Sequence, residues 1–181
     1  GERDFSSYEE NFKWSGRTRN RVEKLMLLYI VRHGLTPWNH LHKAQGSADI
    51  PLAQEGIDLA RRTGEALMDV KFDICFTSPL SRAKQTAEYV LGKRDVPIIP
   101  DKRIQEIDFG VLEGDQVRDA DGNYIDPQIE TFFRDPVNFK RPEKGEDIFD
   151  VIARTKDFWD EITSDPTLAD KTILVASHGC E

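Results

Sequence analysis

Cysteine is scarce: two residues in 181, Cys75 inside an apolar run and Cys180 near the end. Two thiols at that spacing form neither a disulfide framework nor a zinc-binding pattern, so a reducing, cytoplasmic compartment and a metal-free fold are expected. Long hydrophobic runs are also lacking. The longest, around Leu25 to Val31, is too short to span a bilayer, and no apolar signal-peptide core precedes it. Surplus positive charge is missing too. A formal net charge of -8 argues against general nucleic-acid binding, which needs an excess of Lys and Arg. What remains is a soluble chain with 38% hydrophobic residues, enough for one compact domain with its own core.

Against that acidity, two stretches stand out. Arg32 to Gly46 ("RHGLTPWNHLHKAQG") contains no Asp or Glu but holds Arg32, Lys43, His33, His40 and His42. A second acid-free window, "FTSPLSRAKQTA", carries Arg82 and Lys84. Two positive islands in a negative chain point to a focused anion site.

Residues 1–25 are polar and without period, and read as an extension preceding a domain over 26–181. "LMLLYIV" is a continuous apolar run of the kind expected for a strand buried on both faces. A helix follows in "PLAQEGIDLARRTGEALMDV", with Ile57, Leu59, Ala60, Leu67 and Met68 as its apolar stripe. "FDICFTS" is a second buried strand, and Pro79 and Gly92 bracket the next helix. "VPIIP" is a short strand, residues 109–146 a loop-rich insert, "DIFDVIARTKDFWDEIT" a helix and "TILVAS" the last strand.

Alternating strands and helices imply an α/β three-layer sandwich, a mostly parallel sheet with helices on both faces. Ligands of such sheets gather at the carboxyl ends of the strands. Arg32 with His33, Ser78 with Arg82, and His178 with Gly179 each follow the end of a different strand. "DADGN" at Asp119 to Asn123 lacks the spacing of a calcium loop and reads as a solvated turn.

The stretches "RHGLTPWN", "QGSADIPLAQEG", "TSPLSRAKQTA", "QEIDFGVLEG" and "SHG", in that order, resemble the histidine phosphatase superfamily, in its phosphoglycerate-mutase-like phosphatase branch. The resemblance spans roughly Leu27 to Gly179. It implies that His33 is a nucleophile that forms a phosphohistidine, with Arg32, Arg82 and His178 holding the phosphoryl group. It makes Glu106 the acid that protonates the leaving oxygen, with Asp108 as the local alternative, and it places Asn39, Gln45, Gly46 and Gly179 at the substrate. No metal or cofactor is implied.

The chemistry agrees with those residue types. Neutral imidazole is nucleophilic near neutral pH, and guanidinium forks match phosphate oxygens. Gly34 and Gly179 are expected to let the backbone approach the phosphate. Mutases of this type carry a longer insertion after the acid, opening with an Arg-His-Tyr-Gly-like stretch, whereas this chain has "EIDFGVLEGDQ". Hydrolysis of a small phosphorylated metabolite is therefore expected, with a mutase and a noncatalytic phospholigand-binding domain as alternatives. Phe132, Phe133 and Phe139 belong to a cap over the site, serving first as the insert's own core. His40 and His42 read as surface residues, and Cys75 as core. Members of the family continue past Ser-His-Gly with another helix, so an incomplete carboxyl end, or cover from the amino-terminal arm, is expected.

Overall fold

A computed structural model describes residues 25–179. The expected extension over 1–25 and the expected incompleteness past Gly179 fall, apart from Leu25, outside the described residues. Four strands, β1 (Leu27–Arg32), β2 (Ile74–Thr77), β3 (Ile98–Pro100) and β4 (Thr172–Ser177), form one parallel sheet in the order β1-β4-β2-β3. The last strand in sequence thus lies between the first two. Ile173 to Ala176 of β4 are completely buried, as a strand covered on both faces requires.

After a one-turn helix, α1 (Pro37–His40), helices α2 (Gln54–Ala66) and α3 (Ser81–Leu91) cover one face, where Ala60, Cys75, Ala87, Val90 and Leu174 share a core with Tyr29 and Val31 at its margin. Helix α5 (Ile148–Ser164) covers the other, burying Phe158 and Ile162 against Ile173 and Val175. The three-layer α/β expectation holds. Among the described residues, no helix is long and apolar enough to cross a membrane.

Three expectations need correction. Strand β1 is not buried on both faces: it lies at the sheet edge, and Leu27, Leu28 and Ile30 are exposed. Its apolar run resembles that of a central strand because Tyr29 and Val31 still pack inward, while α5 sits over β4 and leaves the alternate residues uncovered. In α2 the buried face is not the large apolar stripe but Gly56, Ala60 and Gly64; Leu59 and Met68 are exposed. Backbone proximity decides this. A Cβ on Gly64 would lie 2.5 Å from the Val90 carbonyl of α3, so small residues let the two helices approach.

The 109–146 stretch is not merely loop. It contains a helix, α4 (Pro127–Arg134), started by Pro127 in its first turn and by Asp126, whose carboxylate accepts from the Gln128 and Ile129 amides. Ile129, Phe132 and Phe139 are buried with Phe109, Leu112, Ile107 and Ala44, so the insert has a small core of its own, as expected.

Candidate active site

The carboxyl ends of the strands converge. Hydrogen bonding continues one residue past the strands, with the His33 amide donating to the Ser177 carbonyl and the Ser78 amide to that of Ala176. These bonds bring the segments after β1, β2 and β4 side by side. One cavity of about 160 Å³ opens there, and its wall includes Arg32, His33, Asn39, Gln45, Glu106 and Gly179. Of the remaining residues expected at the site, Gly46, Arg82 and His178 stand behind that wall and are joined to it by contacts.

His33 is buried, and its Nδ1 lies 2.8 Å from the Gly34 carbonyl oxygen. A carbonyl can only accept, so Nδ1 carries the proton and the lone pair resides on Nε2. The Gly34 amide in turn donates to Thr86 Oγ1, whose hydroxyl donates to the Arg82 carbonyl. Gly34 is required by packing: a Cβ there would lie 2.7 Å from the Gly56 carbonyl oxygen of α2. Gly179 has ordinary room, its nearest neighbour being Arg32 Cδ at 3.6 Å. Packing against α2 is thus a demand on Gly34 beyond the expected one, while Gly179 lines the cavity wall.

Arg82 projects from the first turn of α3 and is completely buried. The helix start is fixed from outside, since Asp49 accepts from both the amide and the hydroxyl of Ser81. The Arg82 Nη1 and Nη2 atoms donate to the carbonyls of Ala48 and Gly46 at 2.8 and 2.6 Å, while Nε has no hydrogen-bond partner among the described residues. From the opposite side, the Glu113 carboxylate accepts from the amides of Gly46, Ser47 and Ala48, and from that of Phe109. A carboxylate and a guanidinium thus hold one loop by its amides and its carbonyls. Gln45 and Asn39 are oriented by Thr36, whose hydroxyl lies 2.7 Å from Gln45 Oε1 and 3.0 Å from Asn39 Oδ1.

Burial raises the Glu106 carboxyl above its ordinary value, against the opposing pull of its bond from the Ile107 amide and of Arg82, Arg32 and Arg154. Arg154, from α5, donates to the carbonyls of Arg103, Gln105 and Glu106 and pairs with Glu146 at 2.9 Å. It fixes the segment that presents the acid. Asp108 instead accepts from the Gly110 amide within its own turn.

His178 lies with its ring centroid 5.1 Å from that of His33. Burial, reinforced by Arg82 and the other nearby cations, pushes its pKa down to about 2, which keeps the ring neutral. Its Nε2 is 2.7 Å from Ser78 Oγ, and its buried Nδ1 has no hydrogen-bond partner among the described residues. Ser78 is completely buried, and its Oγ already accepts from the Leu80 amide. With the Ser78 hydroxyl donating to Nε2, His178 holds its proton on Nδ1. We expect Ser78→Ala to lower kcat/KM about tenfold, the cost of one buried hydrogen bond. The nitrogen-15 shifts of His178 should lose their single-tautomer pattern; unchanged shifts would contradict this role.

Thr86, Glu113 and Arg154 were not assigned from the sequence, and Ser78 was placed at a strand end without a role. Ser78, Thr86 and Glu113 lie inside the quoted motifs, but their partners are remote in the chain. His40 and His42 are exposed, His40 near Glu55 and His42 at the cavity margin.

Comparison with known proteins gives the family of the chain. A family model described as histidine phosphatase superfamily (branch 1) matches residues 28–180. A 2,3-bisphosphoglycerate-dependent phosphoglycerate mutase 2 of Gloeobacter violaceus is 32% identical over 158 residues, covering 86% of this chain and 71% of that protein. An uncharacterized phosphatase of Bacillus subtilis, PhoE, is 43% identical over 105 residues, covering 56% of this chain and 54% of its own. The crystal structure of the alpha-ribazole phosphatase from Shigella flexneri superposes with a TM-score of 0.71 at 29% identity, covering 83% of this chain and 73% of that one.

Proposed function

The chain belongs to the histidine phosphatase superfamily, branch 1, and on that premise we propose that it hydrolyses a small phosphomonoester through a phosphohistidine on His33, without a metal. The observation that carries this reading is one cavity whose wall contains both a buried imidazole and a half-buried carboxyl held above its ordinary pKa. A binding module has use for neither a nucleophile nor a proton donor.

In the proposed reaction, the Nε2 lone pair of His33 attacks phosphorus. The bond from phosphorus to the alcohol oxygen breaks, its electron pair leaves on that oxygen, and Glu106 supplies the proton. Water then attacks the phosphohistidine, ionised Glu106 takes the water's proton, and the electron pair of the P–N bond returns to Nε2 as phosphate departs. Arg32 meets the equatorial oxygens, where charge accumulates in a loose transition state, and Arg82 and His178 support that charge from behind the wall. Gln45 and Asn39 line the approach, and the Arg82–Glu113 clamp holds the Gly46 loop in place.

Hydrolase is preferred to mutase because the chain after Glu106 folds straight back: Glu113 reaches the Gly46–Ala48 loop within seven residues, where mutases of this kind carry an insertion. We place the enzyme in a reducing, cytoplasmic setting, which suits a buried Cys75 whose thiol is pushed up to about 12.

The test supplies phosphomonoesters with a chelator present and follows both free phosphate and isomeric esters. We expect chelator-resistant release of inorganic phosphate as the main product. Isomerised ester exceeding free phosphate would favour the mutase, and loss of turnover with chelator would contradict the metal-independent mechanism.

A further inference from the structure

The cavity is not lined evenly. Next to the reacting groups its wall is polar, but the wall contributed by the insert is Phe109, Val117, Tyr124, Ile129, Phe132 and Phe133, with Arg118 as its one charged member. Ile129 and Phe132 are fully packed and form a rigid backing. Tyr124 and Phe133 are only half-buried, and their rings stack at 5.8 Å with an interplanar angle of 24°. The size of the cavity, about 160 Å³, is comparable to the roughly 150 Å³ of an apolar cavity that holds one benzene ring.

We propose that the substrate's leaving group is a flat, apolar alcohol, aromatic in its simplest form, seated against Phe133, beside the Tyr124 ring that Arg118 and Arg134 cover, while its phosphoryl group sits at His33. This rests on the phosphatase reading above and narrows it to a substrate class. Aromatic rings offer broad flat faces with favourable offset or edge contacts, which a ligand ring can extend.

The competing ligand chemistry is a short second anion, because Lys43 and Arg118 also line the cavity. Both cations already have partners. Arg118 lies 3.9 Å from the Tyr124 ring centroid and donates from Nη1 to the Gly122 carbonyl, and the Lys43 ammonium stands 5.6 Å from the Trp38 ring. An ion pair at a solvent-exposed margin contributes little, whereas apolar burial grows with contact area. The apolar wall therefore decides which alcohol is preferred.

The test compares 2-phenylethyl phosphate with glycerol 1-phosphate, both esters of primary alcohols, so that leaving-group chemistry is closely matched. For the unaltered full chain, kcat/KM for the phenylethyl ester should exceed that for the glycerol ester by about tenfold or more, as burial of most of one ring implies. Phe133→Ala should bring the ratio close to unity. Phe133→Leu keeps apolar volume without the flat face and should fall between; melting curves confirm that both variants are folded.

A ratio at or below one in the unaltered chain, or a ratio unaffected by Phe133→Ala, overturns the proposal while leaving the phosphatase reading intact. Should the chain release phosphate from no ester, the phosphatase reading fails instead. The two esters are then ligands rather than substrates, and equal dissociation constants for them would overturn the apolar wall as well.

Discussion

His33→Ala should lower kcat by about 10⁴-fold or more, the scale on which covalent enzymes fall when the nucleophile is removed. Binding should be less affected, because Arg32, Arg82 and His178 remain. The substitution removes a buried ring and its bond to the Gly34 carbonyl, but the elements around it are held independently, by the β1–β4 ladder and by the Gly34–Thr86 bond. A folded variant is expected, with a melting temperature lowered only modestly. Phosphate release in the presence of chelator measures the rate. A folded His33→Ala variant that keeps a tenth of the parent activity would remove His33 from the mechanism.

The second large effect is selective. Glu106→Gln preserves the shape of the side chain and an oxygen to accept from the Ile107 amide, but it cannot give up a proton. For an alkyl ester, kcat/KM, which reports the step that forms the phosphohistidine, should fall by about 10²- to 10⁴-fold, the usual contribution of a general acid. For a nitrophenyl ester, whose leaving oxygen departs without protonation, the loss in kcat/KM should be about tenfold or less. Equal losses of kcat/KM for both esters would contradict the acid role and reopen Asp108 as a candidate.

The pH dependence follows from the same carboxyl. Glu106 must be protonated to act, so alkyl-ester turnover should fall as pH rises through its raised pKa. In stability the sign is the same. Between the ordinary value of 4.5 and the raised one, the native state binds a proton that the unfolded chain does not, so this contribution is present at low pH and is lost as pH rises through the native pKa. Glu106→Gln should therefore be relatively more stable at neutral pH than at pH 4. His178 has the opposite sign: its native pKa lies below the ordinary 6.5, so its contribution is present above 6.5 and is lost as pH falls toward about 2.

Much of this site was legible because the parallel sheet imposes a rule. Arg32, His33, Ser78, Arg82, His178 and Gly179 all follow strand ends, and apolar runs broken by polar residues mark those ends. The supporting contacts were not legible. Glu113 meets Gly46 across a separation of 67 residues, Arg154 meets Glu106 across 48, and Ser78 meets His178 across 100. No local pattern encodes such pairings. Periodicity also misled at α2, because the contact with α3 is set by how closely two backbones approach, which favours Gly56, Ala60 and Gly64 over larger apolar neighbours. At β1 the same kind of apolar run served an edge strand, since composition does not reveal which strand β4 will displace from the centre. Helix α4 carried a signal that was passed over, the Asp126-Pro127 pair ahead of an apolar turn.

The central claim is a phosphoryl group carried by one histidine. Rapid acid-free quenching of the enzyme during turnover of a phosphorus-32 ester, followed by peptide mapping, tests it most directly. The label should be stable to base, labile to acid, located on His33 and absent from the His33→Ala variant. Turnover with no labelled enzyme in a quench faster than one catalytic cycle, or label on any other residue, would contradict the account.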